Sequence, residues 1–248
     1  MEKVILTPRK LVLPEATTLD SNLLETYNES LGEYNEKGRQ SLKIFSNKNG
    51  DLAESNCFAP LKLKEFLPKG TRLATMADLG RATEINPKFL NGFYSDTGLV
   101  LRTAGDSYEN NDLLAKGLAK QLKKRGMSLR EGNPKIIYFA ALNLKEDKDS
   151  AYGLVYELSE EAEEGKNIFN APELTRNYQF KTMDERGVPI EDSNGNRTLY
   201  TSEEGLSRFY LNRNSIVYSG DRDLAYSNDS GRVVAVSPEG TQKIKEKK

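Results

Sequence analysis

Any chemistry in this chain must do without imidazole and with one thiol, because it has no His and Cys57 is its single Cys. Cys57 stands before Phe58, Ala59 and Pro60 with no Lys beside it, a setting that suits a buried, inert thiol better than a nucleophile. Asp221, Asp223 and Asp229 are candidates for an oxygen-rich cation loop, but their spacing lacks the Gly and the terminal Glu of an EF-hand. Carboxylate pairs such as Asp221 with Asp223, or Glu203 with Glu204, have the residue types for general acid–base work. A chain this rich in acids holds many such pairs, and solvated carboxylates are their ordinary explanation. Without imidazole, Ser-His-Asp and Cys-His catalysis and HExxH zinc sites are excluded. With one thiol, so are a disulfide within the chain, a CxxC redox pair and a thiolate zinc cluster. Neither GxGxxG after a strand nor GxxxxGK[ST] is present, which disfavours nucleotide binding by those routes. No catalytic residue, metal site or cofactor is expected.

A different kind of chemistry is suggested by residues 205–238. This stretch holds no Glu, Lys, Gln or Met; its basic residues are all Arg (Arg208, Arg213, Arg222, Arg232) and its acids are all Asp. Strands are depleted in Glu and Lys, which accounts for part of the bias. It does not account for Tyr, Asn, Ser, Asp, Arg and Gly crowding together between apolar landmarks. Codons of the form NNC or NNT encode that set together with Ile, Val and Phe, and cannot encode Lys, Glu, Gln, Met, Trp or a stop. Randomising the two adenines of an asparagine codon therefore yields this alphabet. Tyr, Ser, Gly, Asn and Arg are also the residues of antigen-binding loops, where Tyr supplies rigid contact area and the small polar residues adapt their hydrogen bonds.

These residues need a scaffold, and 248 residues suffice for one large domain or two small ones. The composition, 37% hydrophobic and 29% charged, is that of a globular protein, and a net charge of −1 gives no electrostatic reason to expect nucleic acid or an anionic membrane. Residues 1–50 read as a leading segment: short apolar runs at 4–6 and 11–13, a polar helical stretch at 21–34 and a turn at 46–50. The early runs are broken by Pro8, Arg9 and Lys10, so neither a secretory signal nor a spanning helix is readable there, and localisation stays open. Residues 51–248 read as the main domain. The charged patches 159–165 and 243–248 are expected to be solvated.

Within the main domain, Thr75-x-x-Asp78 resembles a capping box, with Met76, Leu79 and Ala82 following at helical spacing until Asn86-Pro87 stops the helix. A second helix is predicted from about Glu109 to Arg125, with Leu114, Leu118 and Leu122 on one face, Lys123, Lys124 and Arg125 at its negative end and Gly126 as the terminator. Strands are predicted at 98–103, 135–142, 152–158, 197–201, 206–211 and 231–237, with a turn at 193–196. Two helices early and many short strands late make an α+β class rather than a βαβ alternation.

Three groups of residues carry a resemblance: Arg208-x-x-Leu211, then Leu224-Ala225-x-Ser227, then Gly231-Arg232-Val233-Val234-x-Val236. Separated by a polar-aromatic stretch, they resemble the variable region of diversity-generating retroelement variable proteins, in their archaeal branch. Gly70-Thr-Arg-Leu-Ala-Thr-Met-Ala-Asp-Leu-Gly80 is similar to the start of the C-type lectin-like fold that this family shares with formylglycine-generating enzymes. The resemblance spans roughly residues 57–237 and leaves 1–50 without a counterpart. It implies a C-type lectin-like fold with two helices and mostly antiparallel short strands, and a variable region at about 208–236. In that family, adenine-directed mutagenesis during reverse transcription rewrites chosen codons. The catalytic relatives depend on a cysteine pair that this chain lacks. Calcium-dependent lectins rely on disulfides and Glu-Pro-Asn-type motifs, to which 84–87 and 131–134 bear only a superficial likeness.

What carries over is a fixed scaffold presenting a variable ligand-binding face. On that reading Leu206, Leu211, Leu224, Ala225, Gly231, Val233, Val234 and Val236 face the core, and Arg208 and Arg232 are structural hydrogen-bond donors. The ligand-binding candidates are Phe209, Tyr210, Asn212, Arg213, Asn214, Ser215, Ile216, Tyr218, Asp221, Asp223, Tyr226, Asn228, Asp229 and Ser230. Phe209 and Ile216 serve equally well as core. Tyr210, Tyr218 and Tyr226 are the expected hot spots. The expected partner is a protein or cell-surface target bound by a monomer, with no nucleic acid and no membrane insertion. The alternatives are a copper- and thiol-dependent oxidase on the same fold, or a structural or virion component using the tyrosine-rich face as a subunit contact.

Overall fold

The structure is a computed structural model that describes residues 15–18, 23–46, 52–53, 55–212 and 216–237. The readings made at 4–6, 11–13, 47–50 and 243–248, and the candidates Arg213, Asn214 and Ser215, lie outside the described residues. In chain order the first elements are β1 (Glu15–Thr18), α1 (Leu24–Ser30), α2 (Glu36–Ser41), β2 (Phe45–Ser46), β3 (Leu52–Ala53) and α3 (Ala59–Leu63). Then come β4 (Arg72–Leu73), α4 (Met76–Ile85), β5 (Ser95–Leu101), α5 (Glu109–Lys124), β6 (Lys135–Tyr138), β7 (Leu142–Glu146) and β8 (Leu154–Leu158). The remainder is β9 (Ile168–Asn170), β10 (Tyr178–Met183), β11 (Pro189–Glu191), β12 (Arg197–Thr201), β13 (Leu206–Asn212), β14 (Ile216–Ser219) and β15 (Val234–Ser237).

The two long helices form for the reasons legible in their sequences. At α4 the Thr75 hydroxyl accepts from the Asp78 N–H while the Asp78 carboxylate accepts from the Thr75 N–H, a reciprocal capping box. Asp78 also accepts from Arg72 at 2.6 and 3.0 Å and from Arg81 at 3.1 Å. Burial pushes its carboxyl up, but the Arg72 guanidinium and the Thr75 donors outweigh this and hold it down at about 2. A carboxyl depressed below its unfolded value of about 3.9 adds stability above that pH and loses it as pH falls towards 2. Asp78→Asn is therefore expected to flatten the acid dependence of the urea midpoint between about pH 4 and 2, a difference read by comparing both chains across that range. The second helix, α5, buries Leu114, Leu118 and Leu122. It ends where Gly126 takes a φ of 78°, the left-handed conformation that a C′ glycine adopts freely.

The main sheet has the order β11-β10-β12-β14-β13-β5-β6-β9, with β12–β14 as its one parallel pairing among the described strands. Its central strands are covered on both faces. Leu99, Leu101 and Ile137 join Leu114, Leu118 and Leu122 in one apolar cluster. Val100, Ile136 and Tyr138 join Met76, Leu79, Phe209, Leu211 and Val217 in another. Burial on both faces explains why 99–101 and 136–139 read as unbroken apolar runs instead of alternating ones. Gly98 sits where β5 and β6 approach so closely that a Cβ would collide with the Ile137 carbonyl.

A second sheet, β1-β15-β4, joins the two ends of the described chain: β1 pairs antiparallel with β15 from Glu15↔Ser237 to Thr18↔Val234. Tyr27, Leu31, Leu42 and Ile44 also belong to the cluster beneath α5, so the described parts of residues 1–50 share the core of the main domain. The α+β class, with mostly antiparallel short strands, is the observed one. Three differences from the sequence expectation stand out. The short helices α2 and α3 accompany the two long ones and α1, which falls within the helical stretch expected at 21–34. The run 135–142 is broken by a 3₁₀ turn at Phe139–Ala141. Only Val234–Ser237 of 231–237 is a strand, and Gly231 instead makes an isolated bridge to Tyr94. No helix among the described residues is long and apolar enough to cross a membrane.

Candidate functional site

Strand alternation sorts the residues of β13 and β14. Phe209, Leu211 and Val217 point into the cluster shared with α4 and are fully buried, whereas Tyr210, Asn212, Ile216 and Tyr218 are half-buried on the opposite face. The register aligns the latter in pairs, Tyr210↔Tyr218 and Asn212↔Ile216. Tyr200 of β12 lies beside Tyr218 in the parallel pairing. The result is a row of rings across three strands: Tyr200 on Tyr218 with centroids 5.0 Å apart, Tyr218 on Tyr210 at 5.1 Å, and Tyr94 edge-on to Tyr210 at 5.7 Å. Phe209 therefore needs correcting. One residue from Tyr210, it faces the other way, its ring 6.3 Å from that of Tyr138, and cannot touch a ligand.

Arg208 shares the face of Tyr210 but is buried beneath it. Its Nε and Nη2 donate to the two carboxylate oxygens of Asp96 at 2.9 and 2.6 Å, and Nη1 donates to the Tyr226 carbonyl at 2.9 Å. The guanidinium carbon lies 4.9, 5.4 and 6.0 Å from the ring centroids of Tyr210, Tyr94 and Tyr226. Burial works against this charge, yet the Asp96 carboxylate raises the guanidinium well above its ordinary value, so it stays protonated. Ser55 Oγ donates to Asp96 at 2.8 Å, and the Cys57 thiol lies 3.8 Å from the same carboxylate. Burial first, then the Asp96 charge, push the Cys57 thiol up, which keeps it protonated as well as fully buried.

The segment between β14 and β15 folds over this pair. Leu224 is fully buried and its carbonyl accepts from the Cys57 N–H at 3.0 Å, while the Arg208 N–H donates to the Asp221 carbonyl at 2.9 Å. Arg232 is buried, donates to the carbonyls of Asp229 and Gly231 at 2.7 and 2.6 Å, and lies 3.9 Å from the Phe93 ring centroid. Gly231 is required by a close approach: a Cβ there would overlap the Ser55 backbone nitrogen and press on the Tyr94 ring. Both arginines are thus structural donors, and the apolar frame residues Leu206, Leu211, Leu224, Val233, Val234 and Val236 are buried; Ala225 is half-buried.

Between the ring row and the folded-over segment lies a cleft of about 180 Å³. Tyr94 and Arg208 line it together with six of the candidates, Tyr210, Asn212, Asp221, Tyr226, Asn228 and Ser230. Ile216 and Tyr218 lie outside it on the same sheet face, and Asp223 and Asp229 are exposed on the covering segment. Among the described residues no group of three or more His, Cys, Asp or Glu side chains is placed to hold a metal ion. The sequence reading missed Tyr94, Tyr200 and Asp96. The alternation of Leu199 with Tyr200 signals that this ring faces outward, and a structural Arg208 calls for an acceptor, but neither signal names the neighbour. Compared with protein-family models, curated proteins and solved structures, the chain matches none.

Proposed function

We propose that this protein is a ligand-binding variable protein of the diversity-generating retroelement class, built on a C-type lectin-like scaffold and displaying one face whose side chains are interchangeable. The observation that carries this reading is the sorting within 205–237. Apolar and arginine frame residues are buried, while residues from the NNC/NNT alphabet converge from β13, β14 and the covering segment on one cleft and its flank. A frame held by Arg208–Asp96, Leu224 and Arg232 keeps the same backbone whatever occupies the outward sites, so specificity lies in side-chain identity and little entropy is lost on binding. Half-exposed stacked tyrosines, which otherwise favour aggregation, acquire a purpose on such a face. The buried, protonated state of Cys57 supports binding over thiol chemistry.

DNA sequencing around the gene tests this. A reverse transcriptase gene and a second, near-identical copy of the segment encoding about 208–236 are expected, with differences between the copies at adenines of the template. The mismatched codons should include those of Tyr210, Tyr218 and Tyr226, each facing an adenine-bearing template codon, and spare those of Leu211, Leu224 and Val234, while Asn212 and Asn228 should face template asparagine codons left unchanged. A locus with neither feature removes the retroelement assignment.

A further inference from the structure

We propose that, in this variant, the cleft takes one lysine or arginine side chain of a protein ligand, its cationic head on the Asp221 carboxylate and its stem against the rings of Tyr210 and Tyr226. The inference rests on the binding-face reading above and assigns a chemical class to that face. At about 180 Å³ the cleft is smaller than the 300–1,000 Å³ typical of small-molecule pockets, and fits a single side chain.

Accessible charge decides the sign of the ligand. The Arg208 side chain is only 1% exposed, and four of its five N–H donors are engaged by Asp96, the Tyr226 carbonyl and, at 3.3 Å, the Ser55 carbonyl. With Asp96 it forms a neutral pair. The Asp221 side chain is 33% exposed; one oxygen accepts from the Asp223 N–H, and the other lies 3.6 Å from Arg208 Nη1, beyond hydrogen-bond distance. Among the described residues, that second oxygen has no other partner. An incoming ammonium or guanidinium would supply a charge-assisted donor to it. An anion would meet a like charge, and the one Arg208 N–H without a hydrogen bond, on Nη1, already stands beside the Asp221 carboxylate.

Burial already pushes the Asp221 carboxyl up, with Arg208 offsetting only part of the effect, so the carboxylate is poorly solvated before a ligand arrives. The aromatic walls suit the same guest: the Tyr226 ring is 51% exposed, and the methylene stem of a long basic side chain packs on rings. From the cleft, Tyr210, Tyr218 and Tyr200 continue outward as a stacked row on which the flanking chain of the ligand can lie.

The test is selection of displayed random linear peptides against the full chain, followed by affinity measurements on wild type, Asp221→Asn and Tyr218→Ala. Selected peptides should share a Lys or Arg whose replacement by norleucine or citrulline weakens binding to wild type at least about tenfold. Asp221→Asn should cost a similar factor, and the two losses should not add in a double-mutant cycle. The peptide replacements leave the protein untouched, so they report on the cleft even if Asp221→Asn alters folding. Peptides weakened by Tyr218→Ala that lack a basic residue, or that ignore Asp221→Asn, would overturn the ligand class and leave the binding face standing. Peptides indifferent to both substitutions, or no enrichment at all, would overturn the face itself and this inference with it.

Discussion

Arg208→Met is expected to lower stability by about 3–5 kcal/mol, because it leaves the Asp96 carboxylate buried without its charge partner. In a chain of this size each kcal/mol moves the melting temperature by roughly 2–4 °C, so a fall of about 10 °C is expected. The consequence extends beyond the pair itself. Arg208 also holds the Tyr226 carbonyl and stands under the rings of Tyr94, Tyr210 and Tyr226, so its loss should loosen the covering segment as well. Replacing both partners with apolar residues, Arg208→Met with Asp96→Leu, should recover part of the loss, since the cost lies mainly in the orphaned charge. Added salt should change little, because a buried pair is weakly screened. Urea and thermal denaturation of the two variants read all of this. A single-mutant loss under about 1 kcal/mol would mean that water reaches the pair.

The second large effect separates two residues that the sequence placed in one list. Phe209→Ala should cost about 3–5 kcal/mol, the range for removing a buried aromatic ring from a packed cluster. Tyr226→Ser should change stability by no more than about 0.5 kcal/mol, since the Tyr226 ring stands on the surface at 51% exposure. Ligand binding should show the reverse dependence: Tyr226→Ser abolishes or redirects it, while any effect of Phe209→Ala follows the loss of folded protein. Melting curves and binding measured on the same preparations distinguish the two. Equal destabilisation by both substitutions would place Tyr226 in the frame and remove it from the proposed binding face.

The helices and the frame were legible locally. The Thr75–Asp78 capping box, the leucine spacing of α5 and its Gly126 stop all act between residues within a few positions of each other, so sequence alone determines them. The composition of 205–238 likewise marked the segment that carries the face, and Arg208 and Arg232 could be assigned as structural donors. Phe209 could not be assigned, because its neighbours suit either a core or a surface strand and its direction depends on the register with β5 and β14. Tyr94 and Tyr200 reach the face only through sheet order, Tyr200 through the single parallel pairing. Asp96 becomes the partner of Arg208 across 112 positions of chain. Hydrophobic period and capping chemistry are short-range properties written in adjacent residues. Which strands lie side by side is settled by the burial of two apolar clusters at once, and that is a property of the whole folded chain.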